Sequence, residues 1–489
     1  MNDISLSLLS LIGLSALGGG GVKLNQFRGW RQMGDRLPGP QANPLLGNIP
    51  DLQKAGDFQN FLPLLHQQYG SIARFWLGPS DLVVSITDPE ILGEVTNNLS
   101  LRPAAAKKLL GWMGKEGMTF QKPPELTATR SKLVPLLIGQ SLQNLCVSTH
   151  EQTARMLDSW SQRRDAIDVK EEFSRLALDI VGSCSFGQEF GNTPVGQEIR
   201  SLFERVLAKS QQRVQEVIPP VWKPSYWQWN QDVSRLQKFA GKLIEQRRQV
   251  GSLGQKNDLL SLVLNERNDN GTPFFSDAEA RATVIAFLFA GFDPAGSSLT
   301  WACYLLATHP EIQALARQEV ERVLAGRLPE LEDLPKLEYL TRVIKEAMRL
   351  YTPNSVTMRF VESDIQIGDY TIPQGTTFCI PICAIHRDAT IWPNPENFDP
   401  DRFTPEQEQN RPRYAYIPFG MGARGCIGAR FGITQVQLML SMILQRFSLS
   451  LLPGQEIVPE IEGIILQPKF GMNLLAKPLS SAAAVTFAS

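Results

Sequence analysis

Excess charge of either sign, paired cysteines and repeats are all scarce in this 489-residue chain. With 48 Lys+Arg against 49 Asp+Glu the formal net charge is -1, so there is no basic surplus of the kind that nucleic-acid-binding proteins carry. The six cysteines (Cys146, Cys184, Cys303, Cys379, Cys383, Cys426) contain no C-x-x-C pair, which argues against a disulfide-stapled secreted fold and for a reducing compartment. What is present is ordinary for a protein with a sizeable core: 43% apolar and 20% charged residues, which excludes disordered, collagen-like and coiled-coil classes. A prior of roughly 150 residues per domain allows about three domains. No long linker interrupts the chain after Pro40, however, and residues 41–479 read as one large domain with a short tail over 480–489.

The N-terminus departs from this pattern. No charge occurs from Ile4 to Val22, a leucine- and serine-rich run that ends in Gly18 to Gly21. At about 20 apolar residues per crossing the run is marginal as a membrane span. Asp3 precedes it, while Lys23, Arg28, Arg31 and Arg36 follow, an order opposite to that of a signal peptide. Residues 1–22 are therefore a candidate membrane anchor that would leave the rest on the cytoplasmic side; a frayed tail on a soluble cytoplasmic protein is the alternative. Residues 23–40 form a basic linker ending in the stiff hinge Leu37-Pro38-Gly39-Pro40.

Within the body, Ile72–Leu77 and Leu82–Ile86 alternate like paired strands around Gly78-Pro79-Ser80-Asp81, and Asp88-Pro89 starts a helix. A mostly helical stretch runs from Leu126 to Val250, broken near Pro219-Pro220. Trp222 to Trp229 holds three tryptophans and reads as a long inter-helix loop that packs on the body or dips into a membrane interface. Ser276-x-x-Glu279 is a capping box that opens a helix running to Thr308. More than 30 residues at 1.5 Å each span about 45 Å, so that helix must cross the core. A helix follows over Leu337–Leu350, short strands over Ile365–Pro381, an irregular stretch over His386–Arg413, and a last helix from Ile427 to Phe447. The fold class is mainly α with minor β.

The segment from Phe419 to Gly428 carries the most chemistry. Gly420-x-Gly422-x-x-Gly425 matches a dinucleotide fingerprint, but that motif needs an acid about 20 residues later, and no Asp or Glu lies between Glu408 and Glu456. The alternative is a thiolate. A sulfur at a helix entrance is favoured as an anion by the dipole and by free N–H groups. Gly422 and Gly428 let a flat cofactor approach the backbone, Arg424 reaches an acidic group on its edge, and Phe419 keeps water from the sulfur. Thiolate-ligated haem needs this combination. Cys379 and Cys383, in an apolar strand, read as small buried residues.

The chain resembles the cytochrome P450 family here. Phe419 to Gly428 fits the family pattern F-x-x-G-x-R-x-C-x-G, and Glu346-Ala347-Met348-Arg349 is similar to its E-x-x-R helix. Phe398 to Phe403 is similar to the segment that supplies a third charged partner, Arg402. The resemblance implies a P450-like helical fold with small antiparallel sheets and a long central helix over the haem. It also implies haem b (iron protoporphyrin IX) on Cys426, and a structural clamp of Glu346, Arg349 and Arg402. Haem carboxylate contacts would come from Arg424, Arg359 and Arg130, or any of these arginines is simply solvated. Arg130 stands in the family's W-x-x-x-R helix, where Leu126 replaces the tryptophan.

The family's oxygen-handling segment is matched incompletely. Ala290 and Gly291 are small, as a groove for oxygen requires, and Asp293 matches the acid, but Pro294 and Ala295 replace the usual pair of threonines. Proline frees the Ala290 carbonyl to hold a water, and Ser297 lies on nearly the same face as a substitute hydroxyl; alternatively Pro294 only fixes a kink. The resemblance implies a monooxygenase inserting one atom of O2 into a lipophilic substrate. The proline raises a peroxide-using peroxygenase or isomerase as the alternative, with a non-enzymatic haem sensor more remote. Phe287, Phe292, Val356 and Ile464 fall in segments resembling the family's substrate contacts. The electron donor would be a ferredoxin or an NADPH-dependent reductase, and Lys122, Arg130, Lys132, Arg411 and Arg413 are candidates for its docking face or an ordinary solvated charge distribution.

Overall fold

The computed structural model describes residues 29–479 except 97–98, 100, 191–192, 215–221 and 250–257. The expected anchor over 1–22, the Pro219-Pro220 break and the tail from 480 lie outside the described residues. In chain order, the elements that position the site are β1 (Ile72–Leu77), β2 (Asp81–Ile86), α1 (Glu125–Leu136), α2 (Gln140–Ser161), α3 (Val169–Phe186), α4 (Pro194–Val214) and α5 (Pro224–Gln249). They continue with α6 (Asp277–Thr308), α7 (Pro310–Leu324), α8 (Glu338–Leu350), β3 (Thr357–Phe360), β4 (Thr377–Ile380) and α9 (Ala429–Arg446). The chain ends in β5 (Phe447–Leu451), β6 (Pro459–Glu462), β7 (Ile465–Pro468) and β8 (Asn473–Pro478).

The capping box at Ser276 is present in full: Glu279 N–H donates to Ser276 Oγ at 3.3 Å, and Ser276 N–H donates to the Glu279 carboxylate at 2.9 Å. The helix that follows, α6, runs unbroken for 32 residues through Pro294. Among the described residues it is the one helix long and apolar enough to cross a membrane, yet most of its side chains are buried in the protein. Its flank lies against α3, where a Cβ on Gly291 would come within 2.7 Å of Val181 Cγ2. Helix packing therefore leaves no room for a side chain at Gly291. Leu157 of α2, Ile180 of α3, Val206 of α4, Leu299 of α6, Val343 of α8 and Leu440 of α9 are fully buried in one core. Each such side chain contributes about 1.5–3 kcal/mol of burial.

A second apolar cluster lies under the sheet β1-β2-β4-β3. Among the described residues the small sheets are antiparallel apart from one pair: β2 and β4 run parallel, with Val84 opposite Phe378, an arrangement that the nearly 300 residues between them permit. β3 closes that sheet antiparallel, with Arg359 opposite Phe378. Two expectations change. Trp227 and Trp229 lie in the first turns of α5 instead of a loop; Trp229 Nε1 donates to Ser210 Oγ at 2.9 Å, while Trp222 and Trp227 are exposed. Cys383 belongs to the short helix Ile382–Ile385, although Cys379 is in β4 as expected.

Candidate active site

Cys426 sits on a loop bent by glycine. Gly420 and Gly422 both take a φ of 66°, a left-handed conformation that side chains resist. Gly425 N–H returns to Gly422 O at 3.0 Å, and Cys426 N–H donates to Phe419 O at 2.9 Å, so the loop closes on itself. Regular helix begins only at Ala429 with Gly428 as its N-cap, so the cysteine precedes the helix instead of entering it at Ile427 as expected. The Gly428 N–H nevertheless reaches back to the sulfur. Burial pushes the thiol up from its ordinary value, while the Gly428 N–H and the charge of Arg130 pull it back. Protein surrounds most of the residue, yet among the described cysteines Cys426 alone is exposed. Burial pushes the thiols of Cys146, Cys184, Cys379 and Cys383 up to about 12, as inert thiols require.

The approach to this loop is pinned by α8. Arg349 donates to Glu346 through Nε at 2.7 Å and Nη2 at 2.8 Å, and neither side chain is exposed. Arg402 Nε lies 3.3 Å from Glu346 Oε1, which also accepts the Asp399 N–H at 3.0 Å. The remaining Arg349 donors go to the carbonyls of His386 (2.7 Å) and Asn397 (3.2 Å). His386 Nε2 accepts the Ile417 N–H at 2.9 Å, so its proton sits on Nδ1, facing Thr352 Oγ1 at 3.0 Å. Burial, with the charges of Arg349 and Arg387, drives the His386 pKa down to about 3 and keeps the ring neutral. The structure thus brings Glu346, Arg349 and Arg402 together and ties them to the segment two residues before Phe419.

Four arginines gather with the opposite character. Arg359, on β3, is buried; its Nη1 donates to Thr357 Oγ1 at 2.6 Å and Met358 O at 3.0 Å, and its Nε has no partner among the described residues. Burial and the like charges of Arg102 and Arg424 lower its pKa to about 9. Burial, Arg102 and Arg130 lower that of Arg424 to about 10. Arg424 donates to the carbonyls of Met118 (2.9 Å), Thr119 (3.3 Å) and Gln121. Arg130 donates to the Gly425 carbonyl at 2.9 Å, beside the sulfur. Arg102, whose Nε donates to Thr119 O at 3.1 Å, was not anticipated from the sequence. It reaches Arg359 because Phe360 N–H bonds the Leu101 carbonyl at 3.0 Å, a contact across 259 positions with no local signal.

On α6, Ala290 is open although Leu288, Phe289 and Phe292 around it are buried. Pro294 deprives the Ala290 carbonyl of its donor four residues on. Burial and Glu462 raise the Asp293 carboxyl to about 7, against a hydrogen bond from Gln467 and the charge of Lys170. Ser297 is not a free hydroxyl in place of the missing threonine: it is fully buried and donates to the Leu466 carbonyl at 2.6 Å. Phe292 is not an open wall either, since its ring packs 5.6 Å from Phe203; Phe287, Val356 and Ile464 remain half-buried. The expected basic face is thinner than the sequence suggested. Lys132 pairs with Glu266 at 2.8 Å, Arg411 lies 4.1 Å over the Trp392 ring and Arg130 holds the loop, which leaves Lys122 and Arg413 exposed.

Among the described residues no group of three or more His, Cys, Asp or Glu could hold a metal ion. The profile of the Cytochrome P450 family matches residues 37–474. Cytochrome P450 4B1 of Rattus norvegicus is 29% identical over 91% of both chains. Cytochrome P450 3A25 of Mus musculus is 29% identical over 84% of this chain and 85% of its own. Cytochrome P450 734A1 of Arabidopsis thaliana is also 29% identical, over 98% of this chain and 96% of its own.

Proposed function

The chain belongs to the cytochrome P450 family, a haem-thiolate monooxygenase family, and from that premise we propose how its own residues share the work. When bound, the haem supplies an iron that activates O2 with two electrons and two protons, so that one oxygen atom enters the substrate and the other leaves as water. The residues fit that group. A single open sulfur suits a metal carried by a macrocycle, and a buried cluster of guanidiniums suits a cofactor with two carboxylates at its edge.

Cys426 is the sulfur ligand, with the Gly428 N–H and Arg130 favouring its anionic form. Arg359, Arg424 and Arg102 receive the carboxylates; the unpartnered Nε of Arg359 is the observation that carries this reading. Glu346, Arg349 and Arg402 touch no reacting group and hold the loop in place. Asp293, poised near neutrality, holds a proton one helical turn from the Ala290 carbonyl that Pro294 frees. The apolar surfaces of Phe287, Val356 and Ile464 suit a lipophilic substrate. Family membership favours O2 and a reductant over the peroxide-fed alternative raised by Pro294.

The electron donor, a ferredoxin or an NADPH-dependent reductase, docks where Lys122 and Arg413 are exposed. The uncharged run over 4–22, followed by basic residues, associates the chain with a membrane and leaves the catalytic part on the cytoplasmic side. Turnover of a panel of fatty acids, terpenoids and sterols tests this reading. Product is expected with O2, NADPH and a reductase; product from hydroperoxide alone, with none from O2, would contradict it.

A further inference from the structure

β7 is strapped to α6 at three successive turns. Asp293, Ser297 and Trp301 stand at i, i+4 and i+8 along one face of the helix. Gln467 Nε2 donates to Asp293 Oδ1 at 3.1 Å, while Ser297 Oγ (2.6 Å) and Trp301 Nε1 (3.0 Å) both donate to the Leu466 carbonyl. From the other side, Leu466 N–H donates to Pro353 O at 2.8 Å, and Gln467 is paired with Glu460 across the β6–β7 hairpin. The strand therefore cannot slide along the helix without breaking several bonds at once. Gln467 is itself buried, and its Oε1 has no partner among the described residues.

The helix position next to the acid offers no hydroxyl, since Pro294 and Ala295 occupy it and Ser297 is spent on the strap. The polar side chain that does meet Asp293 comes from another element. We propose that Gln467 is the positioning residue for the proton-holding carboxyl of Asp293: its amide N–H fixes Oδ1 and leaves Oδ2 to exchange the proton. Its unpartnered Oε1 is an acceptor beside the acid for the water through which that proton passes. An amide on a neighbouring strand thus fills the place that an alcohol on the same helix would have taken. The charges that act on Asp293 come from three elements, Glu462 on β6, Lys170 on α3 and Glu204 on α4, with Lys170 and Glu462 paired at 2.9 Å. A donor on a carboxylate favours its ionised form, so removing Gln467 must make Asp293 hold its proton to higher pH.

The inference rests on the monooxygenase reading, and its test separates the two. The carboxyl of Asp293, identified by its loss in Asp293→Asn, is titrated by infrared difference spectroscopy in the holoenzyme, and product per electron pair is measured across the same pH range. Gln467→Met, close in shape but without donor or acceptor, is expected to move the titration up by about one pH unit or more and to lower coupling about tenfold. Gln467→Glu, which keeps the shape and adds a like charge, is expected to move it in the same direction, and serves should the methionine variant fail to fold. Trp301→Phe, which breaks a different bond of the strap, is expected to lower thermal stability and leave the titration in place. An unchanged titration and coupling in the Gln467 variants would overturn the proposal, as would an equal shift in Trp301→Phe, which would mean general loosening. A wild-type protein whose reduced carbon-monoxide spectrum lacks the sulfur signature would remove the reading and the proposal with it; a normal spectrum with unchanged coupling removes the proposal alone.

Discussion

On one flank of the Cys426 loop, Glu346, Arg349 and Arg402 bury a carboxylate between two guanidiniums; backbone carbonyls accept from the other Arg349 nitrogens and from Arg402 Nη2, while Arg402 Nε, 3.3 Å from Glu346 Oε1, makes no aligned hydrogen bond. On the other, Arg102, Arg359 and Arg424 crowd like charges together, and Arg359 keeps a buried N–H without a partner among the described residues. Both clusters lift charge out of water, a cost that is recovered only when each ion is paired and hydrogen-bonded. The first recovers it within the protein and so holds the chain in shape. In the proposed reading the second recovers the rest when an anion arrives, which is how a binding site would differ from a brace built of the same residue types.

Breaking the complete cluster should have the larger effect. Glu346→Ala leaves two guanidiniums facing each other in the interior and is expected to cost about 3–5 kcal/mol. Urea denaturation of the variant should show that loss, and the purified protein should carry little haem. Breaking the incomplete cluster should reverse the sign between forms. Arg359→Met removes a charge that has no counter-ion among the described residues, so the haem-free protein is expected to gain about 1–3 kcal/mol, while haem affinity falls roughly 10- to 150-fold. A loss of stability in both forms would place Arg359 with the braces.

A buried group of a third kind, Asp293, sharpens the contrast through pH. Its folded pKa of about 7 lies above the ordinary carboxylate value of 3.8, so the folded state holds the extra proton between those two values. Stability from this group is therefore full below about pH 4 and is lost as pH rises towards 7. Asp293→Asn should be more stable than wild type by a margin that widens between pH 5 and 7, by up to about 1.4 kcal/mol per pH unit, and levels off above. Thermal melts of both proteins across that range test it. The smallest effect is expected at the surface, where Lys122→Glu with Arg413→Glu should slow reduction by the donor a few-fold at low salt, and less as salt rises.

How much of this was legible before the structure depends on sequence distance. The capping box at Ser276, the Glu346–Arg349 pair and the bends at Gly420 and Gly422 are local, and their chemistry is written within a few residues. Arg402 was placed through the family resemblance, since 56 residues separate it from Glu346. Arg102 and Gln467 carried no such signal. The first reaches its cluster through a backbone bond from Phe360 to Leu101, and the second meets Asp293 across 174 positions. Local spacing also misled at Ser297, which has the right helical phase for a hydroxyl beside Asp293 but is claimed by β7, and it carried no sign that Gly291 packs against Val181. Helical phase says which face a residue occupies, and only the tertiary fold says what occupies that face.

The most direct test of the whole account is the carbon-monoxide difference spectrum of the reduced protein, recorded for wild type and Cys426→Ser side by side. The account predicts the red-shifted Soret band of a thiolate-bound haem in the wild type and its disappearance in the serine variant. The same band in both would contradict it, because the iron would then be held by some other group.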